Sequence, residues 1–254
     1  MSLKGVGYIV GAYEHPTRQA RDKSVALLHA ECAKGALEDA GLTKDDVDGY
    51  FCAGDAPGLG PLSMVDYMNL KCRHVDSTDV GGSSYQVAVG HALESIAAGR
   101  CSIALITLAG RPRSEGQATG TATRAGSPSQ PEVQFEFPYA PATANMYAMC
   151  ATRHMYQYGT TSEQLAWIKV AASHHAQHNP HAMLRNVVTV EDVVKSPMVA
   201  SPLHRLDCCV ISDGGGALIV TKPEIAKSLT RPLVKVIGVG ESPKHQAGGE
   251  IDLT

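Results

Sequence analysis

Several things are missing from these 254 residues, and each absence removes a class of function. There is no excess of positive charge. The net charge is −3, with 22 Lys and Arg against 25 Asp and Glu, so the chain carries no electrostatic footprint for nucleic acid. No apolar run approaches the ~18 residues of a membrane span. Val6 to Val10 is short and lacks the flanks of a signal peptide. There is no CxxC. The seven cysteines are odd in number and scattered, which reads as reduced thiols in a cytosolic, cytoplasmic protein. The one adjacent pair, Cys208-Cys209, reads as buried thiols in an apolar strand. GVGYIV near the start lacks the third glycine of a dinucleotide fingerprint, and its glycines lie inside a strand. The glycines at 214–216 lack the GKS/T of a phosphate cradle. His174, His175, His178 and His181 include i,i+4 and i,i+3 pairs, but no Glu stands in an HExxH position and Pro180 interrupts the helix. Solvated or capping histidines are the plainer reading, and no metal or redox cofactor is expected.

What remains is the composition of a globular protein, 44% hydrophobic and 19% charged. Its most informative stretch is RHVDSTDVGGSSYQVAVGHALESIAAGRCSIALITLAG, residues 73–110. His74 to Ser77 is a short strand. Asp79-Val80-Gly81-Gly82 is a turn, and Ser83 or Ser84 can cap the helix that follows. Tyr85, Ala88, Val89, Ala92 and Ile96 recur at helical spacing. Val87, Leu93 and Ala97 make the other side apolar or small as well, which predicts a helix buried nearly all round. Gly90 in its middle predicts the close passage of another backbone. Gly99 ends the helix, and Ile103 to Leu108 reads as a strand covered on both faces.

The rest of the chain repeats this grammar. Lys4 to Ala12 is a strand. Ser24 to Ala40 is an amphipathic helix with Val25, Leu28, His29, Cys32 and Ala40 on one face, stopped by Gly41. Gly49 to Ala53 is strand-like. Strand–helix–strand order implies a parallel sheet with right-handed crossovers. Ala53 to Pro61 is a Gly- and Pro-rich loop that either lines a site or merely connects. Residues 111–141 lose periodicity, and an amphipathic stretch runs from Ala142 to Tyr158. Thr161 caps a further helix that Asn179-Pro180 ends. DCCVISDGGGALIVT reads as two strands around a Gly-rich bend, with Asp213 structural or pocket-shaping. Leu233 to Gly240 echoes the opening strand, which suggests an internal duplication.

A helix whose amino end opens from a Gly-Gly turn suits chemistry on an acyl group, because its N–H groups and dipole favour negative charge; equally, the glycines serve a tight turn alone. The 73–110 stretch, GLTKDDVDG after the first helix, YGTTSEQLAWIKVAASHHAQHNPHAM and the SDGGGA bend together resemble the thiolase superfamily, and within it the sterol-carrier-protein-type thiolases and the thiolase-like steroid side-chain aldolases. The resemblance implies an α/β fold, a thiolase-like α/β/α/β/α layered sandwich. Residues 1–110 and 201–230 would form its N-terminal half, 111–200 a loop-domain insertion, and 231–254 the first strand of a C-terminal half that is largely missing.

In thiolases a nucleophilic Cys opens the buried helix. Counting back from Gly99, its position falls on Gly82, with Asp79 and Ser83 as other alignments, and none of these is Cys. Gly82 and Ser83 thus stand at the position of the replaced nucleophile. Ser84, Tyr85, Arg153, His174 and His175 are candidates to hold a coenzyme A thioester, which would be substrate. What the resemblance implies is retro-aldol cleavage of a β-hydroxyacyl-CoA, with thiolysis by another nucleophile and a non-catalytic acyl-CoA- or lipid-binding subunit as alternatives. It also implies a homodimer and, for the aldolase-like members, a zinc-ribbon and OB-fold partner that holds the acyl-CoA. The acid–base residues would lie in the missing half.

Overall fold

A computed structural model describes residues 3–120, 135 and 142–242. They group into two compact units. One is Met1–Ser114 with Ser212–Ser242, and the other is built from described residues of Glu115–Ile211.

The first unit is a six-stranded sheet with helices on both faces. Its elements in chain order are β1 (Tyr8–Glu14), α1 (Val25–Ala40), β2 (Gly49–Cys52), α2 (Pro61–Met68), β3 (His74–Ser77), α3 (Ser84–Ala97) and β4 (Ile103–Gly110). The unit resumes below with β7, α7 and β8. Ser24 caps α1 by accepting from the Leu27 amide, and Gly41 closes it in the left-handed conformation. Alternation along the strands explains why both helices find apolar partners. Tyr50, Cys52, Ile103 and Leu105 face α1, through Cys32, Ala33, Ala36 and Leu37. Phe51, Ala104 and Ile106 face α3, through Ala88, Ala92 and Leu93.

The second unit contains α4 (Thr143–Tyr158), α5 (Ser162–Ala176), α6 (Val190–Val194) and a two-stranded ribbon of β5 (Met198–Ala200) and β6 (Leu203–His204). Thr161 opens α5 with a capping box shared with Gln164. Back in the first unit follow β7 (Gly214–Thr221), α7 (Pro223–Ser228) and β8 (Val234–Lys235).

The sheet order is β3-β2-β4-β7-β1-β8. β2 runs parallel to β3 and β4, but β7 lies antiparallel between β4 and β1, and β8 is antiparallel to β1. The expected all-parallel sheet is therefore mixed. The crossover helices dictate direction only for β2, β3 and β4; β7 enters after an excursion whose length leaves its direction open. Of the two strands expected around the SDGGG bend, only the second forms, and the strand expected over 233–240 is paired only at Val234–Lys235.

α3 is also less enclosed than its composition suggests. Ser84, Ala88, Gly90, Ala92, Leu93 and Ser95 are buried, whereas Gln86, Glu94 and Ala97 are exposed. One face of the helix lies on the sheet, and Val87 and Val89 on its flank are half-buried. The atoms nearest to a Cβ on Gly90 belong to the side chains of Val239 and Glu241, at 3.7–3.8 Å; among the described residues the closest approach there is by side chains and not by the expected backbone.

Candidate active site

The turn before α3 is tied by short polar side chains. Asp79 Oδ1 accepts from the Gly81 amide at 3.0 Å, and Gly81 adopts a φ of +79°, which a side chain would strain. Ser84 Oγ accepts from the Val80 amide at 2.9 Å and donates to the Gly81 carbonyl at 2.6 Å. Ser84 is buried and locks the turn from inside. It is Ser83 that occupies the cap position, and it makes no side-chain capping bond. Most amides of the first helical turn are nevertheless committed, Ser84 N–H to the Gly81 carbonyl at 3.0 Å and Gln86 N–H to the Ser83 carbonyl at 3.1 Å, which leaves the Tyr85 amide as the one without an acceptor among the described residues. Gly82 and Ser83 are exposed, and a Cβ built on Gly82 has nothing within 4 Å.

Directly beneath this turn lies a group of polar side chains that no sequence motif announces. Asp55, in the loop after β2, is its hub. Tyr85, in the first turn of α3, donates its phenolic proton to Asp55 Oδ1. The Ala109 amide at the end of β4 donates to Asp55 Oδ2 at 2.8 Å. His29 Nε2, from α1, lies 3.2 Å from the same oxygen. On its other side His29 Nδ1 is 2.8 Å from Thr107 Oγ1, which is also 2.8 Å from the Tyr50 hydroxyl. Tyr50, Thr107 and His29 are fully buried, while the Asp55 side chain keeps 21% exposure. If Tyr50 donates to Thr107, Thr107 donates to His29 Nδ1, and the imidazole proton sits on Nε2 facing Asp55. The chain of groups runs from the core to the solvent edge of the α3 turn. Loop and turn also touch, since a Cβ on Gly54 would fall 2.5 Å from Asp79 Oδ2.

The electrostatics follow from these contacts. Burial alone would push the Asp55 carboxyl up; His29, Tyr85 and the Ala109 amide outweigh it and hold the group below the usual carboxylate range. Burial, then the Asp55 carboxylate, pushes the Tyr85 phenol up, so its proton is firmly held at neutral pH. Residue spacing makes Cys72 and Cys101 the cysteines nearest the turn, but in space Cys52 is the one that interacts electrostatically with Tyr85 and feels the Asp55 carboxylate. It is buried, and burial pushes its thiol up to about 11. Burial likewise raises Cys72 to about 11 and Cys101 to about 12. None of the three is activated as a nucleophile.

Asp213 is the second hub of the first unit. It accepts from the amides of Ala20, Arg113 and Ser114 at 2.7, 2.8 and 3.1 Å and from the Ser114 hydroxyl. All four donors tie chain segments together, so Asp213 is architectural.

The remaining candidates lie in the second unit. Arg153 is on α4 and lines a cleft of about 590 Å³ with Asn145, Met149, Thr152, Tyr156 and Ser201. His174 and His175 are exposed near the end of α5, as are His178 and His181 beyond it. Among the described residues no three His, Cys, Asp or Glu side chains are grouped as metal ligands would be, and no helix is long and apolar enough to cross a membrane. The structure thus brings Gly82, Ser83, Ser84 and Tyr85 together by adjacency, and joins Tyr85 to His29, Asp55 and Thr107 by folding.

No protein-family model matches the chain. The acetyl-CoA acetyltransferase of Methanothermobacter thermautotrophicus is 30% identical over 250 residues, 96% of this chain and 63% of that protein. The 17-hydroxy-3-oxo-4-pregnene-20-carboxyl-CoA lyase of Mycobacterium tuberculosis is 31% identical over 248 residues, 91% of this chain and 62% of that protein. Among solved structures, the Ltp2-ChsH2(DUF35) aldolase superposes with a TM-score of 0.83 at 27% identity, over 94% of this chain and 61% of that one. The chain spans 62–63% of the length of these two curated relatives. With its layered α/β unit, its helical insertion and relatives that align along nearly its whole length, the chain is thiolase-like in fold over the part of those relatives that it spans.

Proposed function

We propose that this chain forms part of a thiolase-like enzyme that cleaves a β-hydroxyacyl-CoA by a retro-aldol reaction, without a covalent acyl-enzyme. In this reading residues 1–110 and 201–230 contribute one thiolase-like half, 111–200 the insertion that helps hold coenzyme A, and 231–254 the opening of the other half. The observation that carries it is the amino end of α3, where no cysteine stands, Gly82 leaves open space and the Tyr85 amide has no acceptor among the described residues. Thiolysis needs a thiolate to take the acyl group. Retro-aldol cleavage needs a base and an enolate site. The β-hydroxyl loses its proton, its oxygen forms a carbonyl, and the Cα–Cβ bond breaks. The released electron pair becomes the thioester enolate, held by the Tyr85 amide and the α3 dipole, and a proton on Cα completes the shorter acyl-CoA.

The lyase and aldolase relatives support this reading, and the raised thiols around the site weigh against thiolysis. Arg153 offers a cation for a CoA phosphate and Tyr156 an aromatic face beside it. Tyr156, at 90% exposure, and Ile168, at 70%, leave apolar surface on the second unit, which supports an assembly. We assign that assembly as a homodimer with a zinc-ribbon and OB-fold partner, in the cytoplasm. The test uses the full-length protein with a β-ketoacyl-CoA plus free CoA, and separately with a β-hydroxyacyl-CoA. Ketone or aldehyde release from the second is expected. Thiolysis of the first alone would overturn the reading, and tight acyl-CoA binding without turnover would make the protein a carrier subunit.

A further inference from the structure

We propose that Cys208 and Cys209 form a redox-responsive dithiol, which a peroxide oxidises to a disulfide between adjacent residues and a small-molecule thiol reopens. The pair works in this way whatever chemistry the α3 site performs.

Three observations carry it. First, the burial in an apolar strand that residue order predicts for the pair is absent. Residues 205–213, between β6 and β7, form no strand; Cys208 is half-buried and Cys209 is exposed. Cys32, Cys52 and Cys101, by contrast, are buried and closed to a dissolved oxidant. Second, the peptide that joins the two residues is free to turn. Asp207 Oδ2 accepts from the His204 amide at 2.7 Å, and the Cys208 amide donates to the Arg205 carbonyl at 3.3 Å. These bonds fix the chain up to Cys208. Beyond them, neither the Cys208 carbonyl nor the Cys209 amide has a hydrogen-bond partner among the described residues. Closing a ring therefore reorients this peptide without breaking a hydrogen bond. Third, adjacency sets the character of the bond. Consecutive Cα atoms stand about 3.8 Å apart, short of the ~4.4–6.8 Å that most disulfides span. The ring is strained, and a strained disulfide is readily reduced. Such a bond suits a switch and not a staple. Its closure would stiffen the connector that leads the chain from the second unit to Asp213 and β7.

The steps balance with the peroxide as sole oxidant. The Cys209 sulfur, the more exposed, attacks one peroxide oxygen. The O–O bond breaks, a sulfenic acid forms, and the second oxygen leaves as water with the thiol proton. The Cys208 sulfur then attacks the Cys209 sulfur. The S–S bond forms, the S–O bond breaks, and the hydroxide takes the Cys208 proton and leaves as water. Two thiols have given up two electrons, and one peroxide has become two waters. Burial, then the Asp207 carboxylate, raises the Cys208 thiol, which suits it to the resolving step rather than the first attack. To reopen the ring, one small thiol attacks a ring sulfur and a second displaces the mixed disulfide that results.

The test maps the cysteines of the full-length protein. Reduced protein is treated with a modest excess of hydrogen peroxide, alkylated with iodoacetamide and digested with trypsin. Residues 206–227 form one tryptic peptide, which holds Cys208, Cys209 and no other cysteine. After peroxide this peptide is expected to have lost two hydrogens and to take up no alkyl group. Incubation with glutathione should restore uptake of two. The conversion should run at least about tenfold faster than any oxidation at Cys32, Cys52 or Cys101. Cys208→Ser should stop at a Cys209 sulfenic acid that dimedone captures, and Cys209→Ser should slow oxidation of Cys208 about tenfold. Thermal melts within a few degrees of wild type show that both variants are folded. If the wild-type peptide still takes up two alkyl groups while buried cysteines are oxidised, the proposal is overturned. It is overturned equally if the peptide gains oxygen without losing hydrogens, or if Cys209 pairs with a cysteine other than Cys208.

Discussion

Asp55 and Asp213 are both enclosed carboxylates in the sheet-forming unit, and burial pushes both upward before their hydrogen bonds pull them below the usual range. They differ in what surrounds them. Asp213 is met by three backbone amides and one serine hydroxyl, none of which changes charge between pH 4 and 9. Asp55 is met by one amide, a phenol and an imidazole. A carboxylate satisfied by main-chain donors joins segments of chain. One satisfied by ionisable side chains can hand a proton on. Residue order reads Asp213 as structural or pocket-shaping and leaves the loop that carries Asp55 open between lining a site and merely connecting; the surroundings separate the two.

Substitutions can break this contrast, starting with the largest effect. Asp213→Ala leaves the amides of Ala20, Arg113 and Ser114 without their acceptor, and should lower stability by about 3 kcal/mol or more in urea unfolding. If it costs less than about 1 kcal/mol, Asp213 is not the tie described here. Gly215→Ala should cost about 2 kcal/mol, because its Cβ would stand 2.2 Å from the Leu108 carbonyl oxygen across the β4–β7 ladder. Asp55→Asn keeps an acceptor for the Ala109 amide and should cost only about 1 kcal/mol. Equal stability losses at Asp55 and Asp213 would erase the distinction.

Acid unfolding probes both carboxylates together with Asp48, which is depressed by the Ile103 and Ser102 amides and Arg73 acting against burial. A depressed folded value means that stability is fully present above the unfolded value of about 3.9 and is lost as pH falls through the lower folded values. The urea midpoint should therefore be insensitive to these groups between pH 7 and 5 and drop below about pH 4. Asp213→Asn should flatten that drop; an unchanged acid limb would show that its carboxylate is not the group being titrated.

The smallest effect on stability is expected at Gly82. Gly82→Ala should change stability by no more than about 0.5 kcal/mol, since its Cβ enters open space. Gly82→Cys then serves as a probe of the helix end. A thiol there should alkylate at pH 7 faster than a free cysteine, with a pKa below the ordinary value of about 8.5. A thiol with an ordinary or raised pKa would mean that the α3 amides exert no useful field where the enolate is placed.

Much of the frame was legible from residue order. The helical spacing of Tyr85, Ala88, Val89, Ala92 and Ile96, the Ser24 cap and Gly41 stop of α1, and the Thr161 capping box are local statements about neighbours, and the structure repeats them. The unbroken apolar run at 103–108 announced a strand packed on both faces, which β4 is. Strand direction was not legible, because a period of two is the same read up or down, and β7 turned out antiparallel. The enclosure of α3 was overread, since small and apolar residues permit burial without requiring it. Ser84 was taken for a cap or a ligand group, but its hydroxyl closes the turn.

By itself the sequence determined the local elements and the absence of a cysteine from the α3 turn, because caps, periods and residue identities act over a few positions. Only the tertiary structure decided that His29, Asp55, Tyr85 and Thr107 meet. They come from a helix, a loop, a second helix and a strand, and contacts between 26 and 78 residues apart in the chain leave no mark in any local pattern. What draws them together is the sheet, which places the end of β4 and the loop after β2 beneath the α3 turn. Low dielectric then favours pairing among the polar groups there, which all but His29 Nε2 achieve with a well-formed hydrogen bond.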